Sequence, residues 1–207
     1  MKKKLLFIID SDLYIRNYFE TGFLKKLSKI HDIFFIFSKE VNNKSFIKKN
    51  KKFLGYYSTS NLKKRVYYLF NNILLWKFRD RSTSFVFRFY RLLDFEGFPI
   101  KINTNKKVKF KNIIIRIYTK FFSISFFFEI LKKIINNKIF LNKKISDYVA
   151  KIKPDLVVYP TNAFEPLVSE IPIICKNNKV KSYFLIDNWD NLSSKSILIN
   201  QPDYISV

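Results

Sequence analysis

The sequence predicts an α/β protein: a Rossmann-like parallel sheet flanked by helices, with a helical insertion. Three observations carry that prediction. Near the start, residues 5–9 (LLFII) form a short apolar run with polar residues at both ends, the mark of a strand buried on both faces. A second such run, 33–37 (IFFIF), follows after an intervening helical pattern, and strand–helix–strand within about forty residues builds parallel sheets. After a helix-rich middle, the strand rhythm returns at 156–159, 182–186 and 203–207.

Taken in order, the first strand ends at Asp10. Ser11 or Asp12 can cap the helix that follows, which places Phe19, Phe23, Leu27 and Ile30 on one face. His31-Asp32 breaks that pattern before the second strand. From about Val41 to Lys144 helical patterns dominate, and this stretch reads as an insertion on a single domain spanning 1–207. Its first helix runs from Asn61 to about Arg79, with Leu62, Val66, Leu69, Phe70, Ile73 and Leu74 along one stripe. A second covers 84–94 and stops near Gly97 and Pro99. A third covers about 121–137, with Phe127, Leu131, Ile134 and Ile135 on one side and Lys132, Lys133 and Asn136 on the other. The strand at 156–159 is stopped by Pro160. A helix from Phe164 to about Asn177 tolerates Pro166 in its first turn, while Pro172 predicts a kink or break. The chain ends inside the run 203–207, an ending that points to a truncation.

Composition narrows the function classes. The 207 residues are 48% hydrophobic, enough for one sizeable core. The 3 glycines and the lack of a glycine-rich phosphate motif argue against a mechanism built on a glycine-rich phosphate loop. Cys175, the one cysteine, cannot form an internal disulfide, and no Cys/His cluster has zinc spacing; a reducing compartment fits, with no bound metal. Lys2-Lys3-Lys4 resembles a signal-peptide start, but the apolar run is short and Asp10 and Asp12 end it. Arg116 and Lys120 interrupt the most apolar later region, 113–128, so it falls short of a membrane span. These features predict a cytoplasmic protein, with peripheral contact at the inner face of the cell membrane open. The net charge of +23 has two readings. One is compositional drift toward Lys and Asn; the other is attraction to an anionic partner, although most of the cations are Lys rather than the Arg that base reading favours.

The densest chemistry lies at 187–195. Asp187, Asn188, Trp189, Asp190, Asn191, Ser193, Ser194 and Lys195 follow directly on a buried strand, where open α/β sheets bind ligands. Amides and carboxylates can hydrogen-bond sugar hydroxyls, an indole can pack on a pyranose face, and an ammonium can neutralise a phosphate. The bland alternative is a set of Asx turns with a packed Trp.

The loop DNWDNLSSK and the later PDYISV resemble the W-D-N-[LM]-[ST]-x-K … P-D-x-[IF]-x-V-W pattern of a group of bacterial GT-B-like glycosyltransferases. That group is related at fold level to CDP-glycerol glycerophosphotransferases and UDP-N-acetylglucosamine 2-epimerases. The stretch Lys153-Pro154-Asp155 through Thr161 looks like the strand and threonine that precede the motif in that group. The resemblance covers 153–207 well, 1–38 fairly and the helical middle not at all. It implies an acceptor-binding N-terminal half of a two-domain GT-B enzyme, with the C-terminal donor-binding domain absent. A nucleotide sugar would then be the co-substrate, no cofactor would be bound, and a glycan or lipid-linked acceptor in cell-surface polysaccharide synthesis would be the partner. Matching residues (Thr161, Asp187, Asn188, Trp189, Asn191, Ser194, Lys195) would face the cleft as substrate ligands. Asp190 is the first candidate for the catalytic base and Asp10 and Asp12 the second, since a carboxylate at a strand end can accept a hydroxyl proton.

Two rivals remain: a CDP-glycerol-type glycerophosphotransferase and a basic nucleic-acid-binding module. Phe121, Phe122, Phe126, Phe127 and Phe128, between Lys120 and the Lys132/Lys133 pair, read either as core or as an interfacial stripe facing an anionic bilayer.

Overall fold

In a computed structural model of the chain, residues 2–42, 52–78, 113–114, 117–137, 140–163, 165–187 and 198–207 are described. They divide between two compact units, one lying within 1–60, 141–188 and 198–207 and the other within 61–140.

The first unit is an α/β domain around a six-stranded, all-parallel sheet. Its strands are β1 (Lys3–Ile9), β2 (His31–Ser38), β3 (Phe53–Tyr57), β4 (Leu156–Thr161), β5 (Lys181–Ile186) and β6 (Tyr204–Ser206). They stand in the order β3-β2-β1-β4-β5-β6, the doubly wound Rossmann-like order, which reverses direction between β1 and β4. Alternation sorts the strand residues between two faces. Leu5, Phe7 and Ile9 share one face with Ile33, Phe35, Phe37 and Val158, under Tyr14, Ile15 and Leu24. Phe19 closes that layer, its ring 4.7 Å from Phe35 and 5.9 Å from Phe37. Leu6, Ile8, Val157, Tyr159, Phe184 and Ile186 are buried on the other. Such runs are apolar throughout because both faces are covered, and each fully buried side chain contributes about 1.5–3 kcal/mol.

The connection from β1 to β2 differs from the single helix expected. It is a short helix α1 (Asp12–Tyr14), a π-helical turn (Ile15–Glu20), and α2 (Phe23–Leu27). Gly22 separates the last two at φ +75°, a left-handed conformation that costs glycine nothing. The break turns Phe23 and Ile30 outward, while Phe19 keeps its place in the core. Ser11 sits at the N-cap in extended conformation but makes no side-chain capping bond.

Two further elements escaped the periodicity. β3 falls inside the stretch 41–144, which reads as helical, and pairs with β2 across a register shift. Gly55 in β3 lies under the Tyr148 hydroxyl, which donates to the Leu54 carbonyl at 3.0 Å; a Cβ there would collide with that hydroxyl. Tyr148 belongs to a helix that packs on β3 and whose cap, Asn142, accepts from the Ile145 N–H at 3.3 Å. Numbered in chain order, after α3 (Asn61–Phe78) and α4 (Ser125–Ile135), it is α5 (Lys143–Ile152).

The last helix, α6 (Leu167–Asn177), packs on β5 and runs through Pro172 without breaking. Leu167, Val168, Ile171, Ile174 and Cys175 are all buried, and their packing outweighs one missing backbone bond. β4 likewise continues through Pro160 to Thr161. Its pairing with β1 ends at Phe7–Val158, so Pro160 lies where only β5 is bonded alongside.

In the second unit, α3 buries Tyr67, Phe70, Ile73 and Leu74, while Leu62 and Leu69 of the expected stripe are exposed. Residues 117–122 are helical, and α4 follows. Phe70 stacks on Phe128 at 5.6 Å, and the Lys77 ammonium sits 5.0 Å from the Phe128 ring centre. Lys77 also donates to the Ser123 carbonyl at 3.2 Å and the Ser125 hydroxyl at 3.0 Å, holding the start of α4. The helix expected at 84–94 lies outside the described residues.

Candidate functional site

The strand order reverses between β1 and β4, and the carboxyl ends of the strands at such a reversal are where doubly wound sheets bind ligands. Asp10 is the first residue after β1, and Tyr159, fully buried in β4, donates its hydroxyl proton to Asp10 Oδ2 at 2.7 Å. Thr161, at the end of β4, is fully buried too; its hydroxyl accepts the Ala163 N–H at 3.0 Å and lies within reach of Tyr159. Ala163 takes a left-handed φ of +66°, so the chain turns sharply as it leaves the strand. Asp187 follows β5, and its N–H donates to the Thr161 carbonyl at 3.2 Å. Tyr14 donates its hydroxyl proton to Asp187 Oδ2 at 2.7 Å. Two tyrosine–carboxylate pairs therefore stand at one end of the sheet.

Their electrostatics follow from burial. Loss of water raises the Asp10 carboxyl from 3.8 to about 7; the Tyr159 hydrogen bond opposes the rise, and the charges of Glu165 and Asp187 add to it. Burial also raises Asp187, against the Tyr14 bond. Tyr14 and Tyr159 are driven in the same direction, by burial first, so both remain donors at neutral pH. The Tyr57 hydroxyl, at the end of β3, is buried, and no partner among the described residues meets hydrogen-bond geometry. After burial itself, the charges of Asp10, Glu165 and Glu40 hold its proton on. A carboxyl that titrates near neutrality beside fixed donors can take a proton from a hydroxyl.

Of the predicted site residues, Asp10, Thr161 and Asp187 meet at this end. Asp12, the remaining candidate that is described, holds a backbone contact. Both its oxygens accept the Asn42 N–H at 3.1 Å, tying the turn after β1 to the segment after β2. Asn188, Trp189, Asp190, Asn191, Ser194 and Lys195 lie outside the described residues. Tyr14, Tyr57, Tyr159 and Glu165 were not singled out from sequence. Tyr159 carried one usable signal, a polar tip two residues before the end of an otherwise apolar strand. Cys175 is buried and its thiol pushed up to about 12, so it is no nucleophile. Among the described residues, no group of three or more His, Cys, Asp and Glu could hold a metal ion, and no helix is long and apolar enough to cross a membrane.

Sheet order and helical layers define a Rossmann-like α/β protein, with paired tyrosines and carboxylates at its strand-order reversal. No protein-family model, curated protein or solved structure matches the chain.

Proposed function

We propose that the chain is the acceptor-binding half of a GT-B-type glycosyltransferase, which moves a sugar from a nucleotide donor to a glycan or lipid-linked acceptor in cell-surface polysaccharide synthesis. The observation that carries the reading is Asp10, a carboxyl raised to about 7 at the reversal of strand order and oriented by Tyr159. In this reading Asp10 takes the proton of an acceptor hydroxyl as that oxygen bonds to the donor's anomeric carbon. The nucleotide leaves with the electrons of the broken bond. Asp187 and Tyr14 bind neighbouring hydroxyls.

Charge supports an acceptor over a donor at this end of the sheet. The charges felt at Asp10 are the carboxylates Glu165 and Asp187, which repel phosphate but accept hydrogen bonds from neutral sugar hydroxyls. The turn after β1 reads Asp10-Ser11-Asp12 and has none of the glycines that let a backbone cradle a pyrophosphate.

Calorimetric titration of the chain with neutral oligosaccharides and with UDP- and CDP-activated sugars tests this. Neutral glycans are expected to bind, nucleotides to bind less well, and Asp10→Asn to weaken glycan binding and remove its pH dependence near 7. Tighter binding of the nucleotides, or glycan binding indifferent to Asp10→Asn, would overturn the reading.

A further inference from the structure

The helical unit carries surface that its own packing does not use. Tyr118, Phe121, Ile124, Phe126, Ile130 and Ile134 are all exposed, from 41% at Ile130 to 68% at Phe126. Phe126, Ile130 and Ile134 follow at i, i+4 and i+8 along α4, one stripe on the side away from buried Phe128. Phe121 and Tyr118 form a stripe on the preceding helical residues. Ring contacts of Phe127 with Phe121 at 4.3 Å and with Phe126 at 5.4 Å join the two stripes into one patch. Contiguous apolar patches of this kind mark interaction sites.

Charge says what covers it. Residues 61–140 hold 18 Lys and Arg against 4 Asp and Glu, a net +14 of the chain's +23. Residues 141–207, which supply β4 to β6, hold 8 against 7. Lys120 and Lys133 stand exposed beside the patch itself. Residues 1–60 are basic as well, with 13 Lys and Arg against 5 Asp and Glu; what sets the helical unit apart is that its exposed cations stand beside exposed aromatics.

We propose that this unit docks on an anionic lipid bilayer, with Phe121, Ile124, Phe126 and Ile130 entering the headgroup–acyl boundary and Lys120 and Lys133 meeting the lipid charges. The helices lie on the surface and do not span it. The proposal uses none of the groups at the strand-order reversal, so it stands or falls apart from the sugar-transfer reading.

Co-sedimentation of the whole chain with phosphatidylcholine vesicles, with and without phosphatidylglycerol, reads it directly. Binding is expected only to the anionic vesicles and to weaken as salt rises. The double variant Phe126→Ser/Ile130→Ser should lower partitioning about tenfold or more with thermal unfolding unchanged, since both side chains are exposed. Lys120→Gln and Lys133→Gln should each lower it about fivefold. Ile30→Ser, 62% exposed in the other unit, should change nothing. Failure to bind anionic vesicles would overturn the proposal, as would binding that survives loss of Phe126 and Ile130. An Ile30→Ser effect as large as theirs would do the same. A dimer dissolved by the double serine variant would make the patch an interface between copies instead. RNA binding tighter than vesicle binding and indifferent to the double variant would make the unit a nucleic-acid binder.

Discussion

At the scale of single residues, Asp10 trades stability for reactivity. Its folded-state carboxyl holds a proton up to about pH 7, whereas the unfolded chain releases it near 3.8. Between those values the folded state binds more protons than the unfolded state, so stability falls as pH rises through the window, with the full penalty above about 7. Asp10→Asn keeps an acceptor for the Tyr159 hydroxyl and removes the titration. Urea unfolding should find the variant more stable than the parent at pH 8 by about 1–3 kcal/mol, after screening of a partly exposed group, and equal to it at pH 4. A parent curve flat from pH 4 to 8 would show that Asp10 ionises normally. Asp10 was legible in the sequence as a carboxylate at a strand end. Its partner was not, because Tyr159 is 149 residues away and only the order of strands brings them together.

At the scale of elements, two Pro-Asp pairs act alike. Asp155 opens β4 and accepts the Lys4 N–H of β1 at 2.8 Å, while its own N–H donates to the Lys4 carbonyl at 2.9 Å. Asp203 precedes β6 and accepts the Ser182 N–H of β5 at 2.9 Å and the Ser182 hydroxyl at 3.0 Å. Each carboxylate satisfies a backbone donor at the entry of the neighbouring strand and so sets register where the pairing begins. Lys181 adds an ion pair at 2.8 Å that, as its largest influence, holds the Asp203 carboxyl below its usual range. This contribution is present above 3.8 and is lost as pH falls below that value. Asp203→Ala should cost about 1–2 kcal/mol and speed amide exchange in β6. Asp203→Asn, which keeps the acceptor for Ser182, should cost less than half as much. Equal losses would assign the effect to the exposed lysine pair rather than to the backbone clip. The Pro-Asp pairs were visible in the sequence as parts of a family-like motif, and the structure gives both a sheet-building role.

At the scale of the whole molecule, charge is divided unevenly: residues 61–140 are strongly basic, and the groups at the strand-order reversal are acidic. An overall charge of +23 attracts any polyanion, but attraction through phosphates alone carries no sequence information. Gel-shift titration with unrelated duplex DNAs should give equal affinities that fall steeply with salt. Selective binding that persisted at physiological salt would instead favour base readout, and with it the rival nucleic-acid function.

The sequence by itself determined five strands of the sheet (β1, β2, β4, β5 and β6), the parallel class, and the surplus of charge. Strand formation is local: a continuous run of apolar, β-branched and aromatic residues, such as Leu5 to Ile9, has few other stable arrangements. Tertiary structure decided what local signals leave open. Phe126 and Phe128 are equivalent in composition and two residues apart, yet one faces outward and the other stacks on Phe70, because only one side of α4 meets α3. β3 contains a glycine and borders a basic stretch, so its pattern is weak; pairing with β2 makes it a strand. The acid–base character of Asp10 likewise depends on burial, which no local pattern encodes. It arises where β1 and β4 lie side by side and exclude water from a carboxyl that would otherwise ionise near 4.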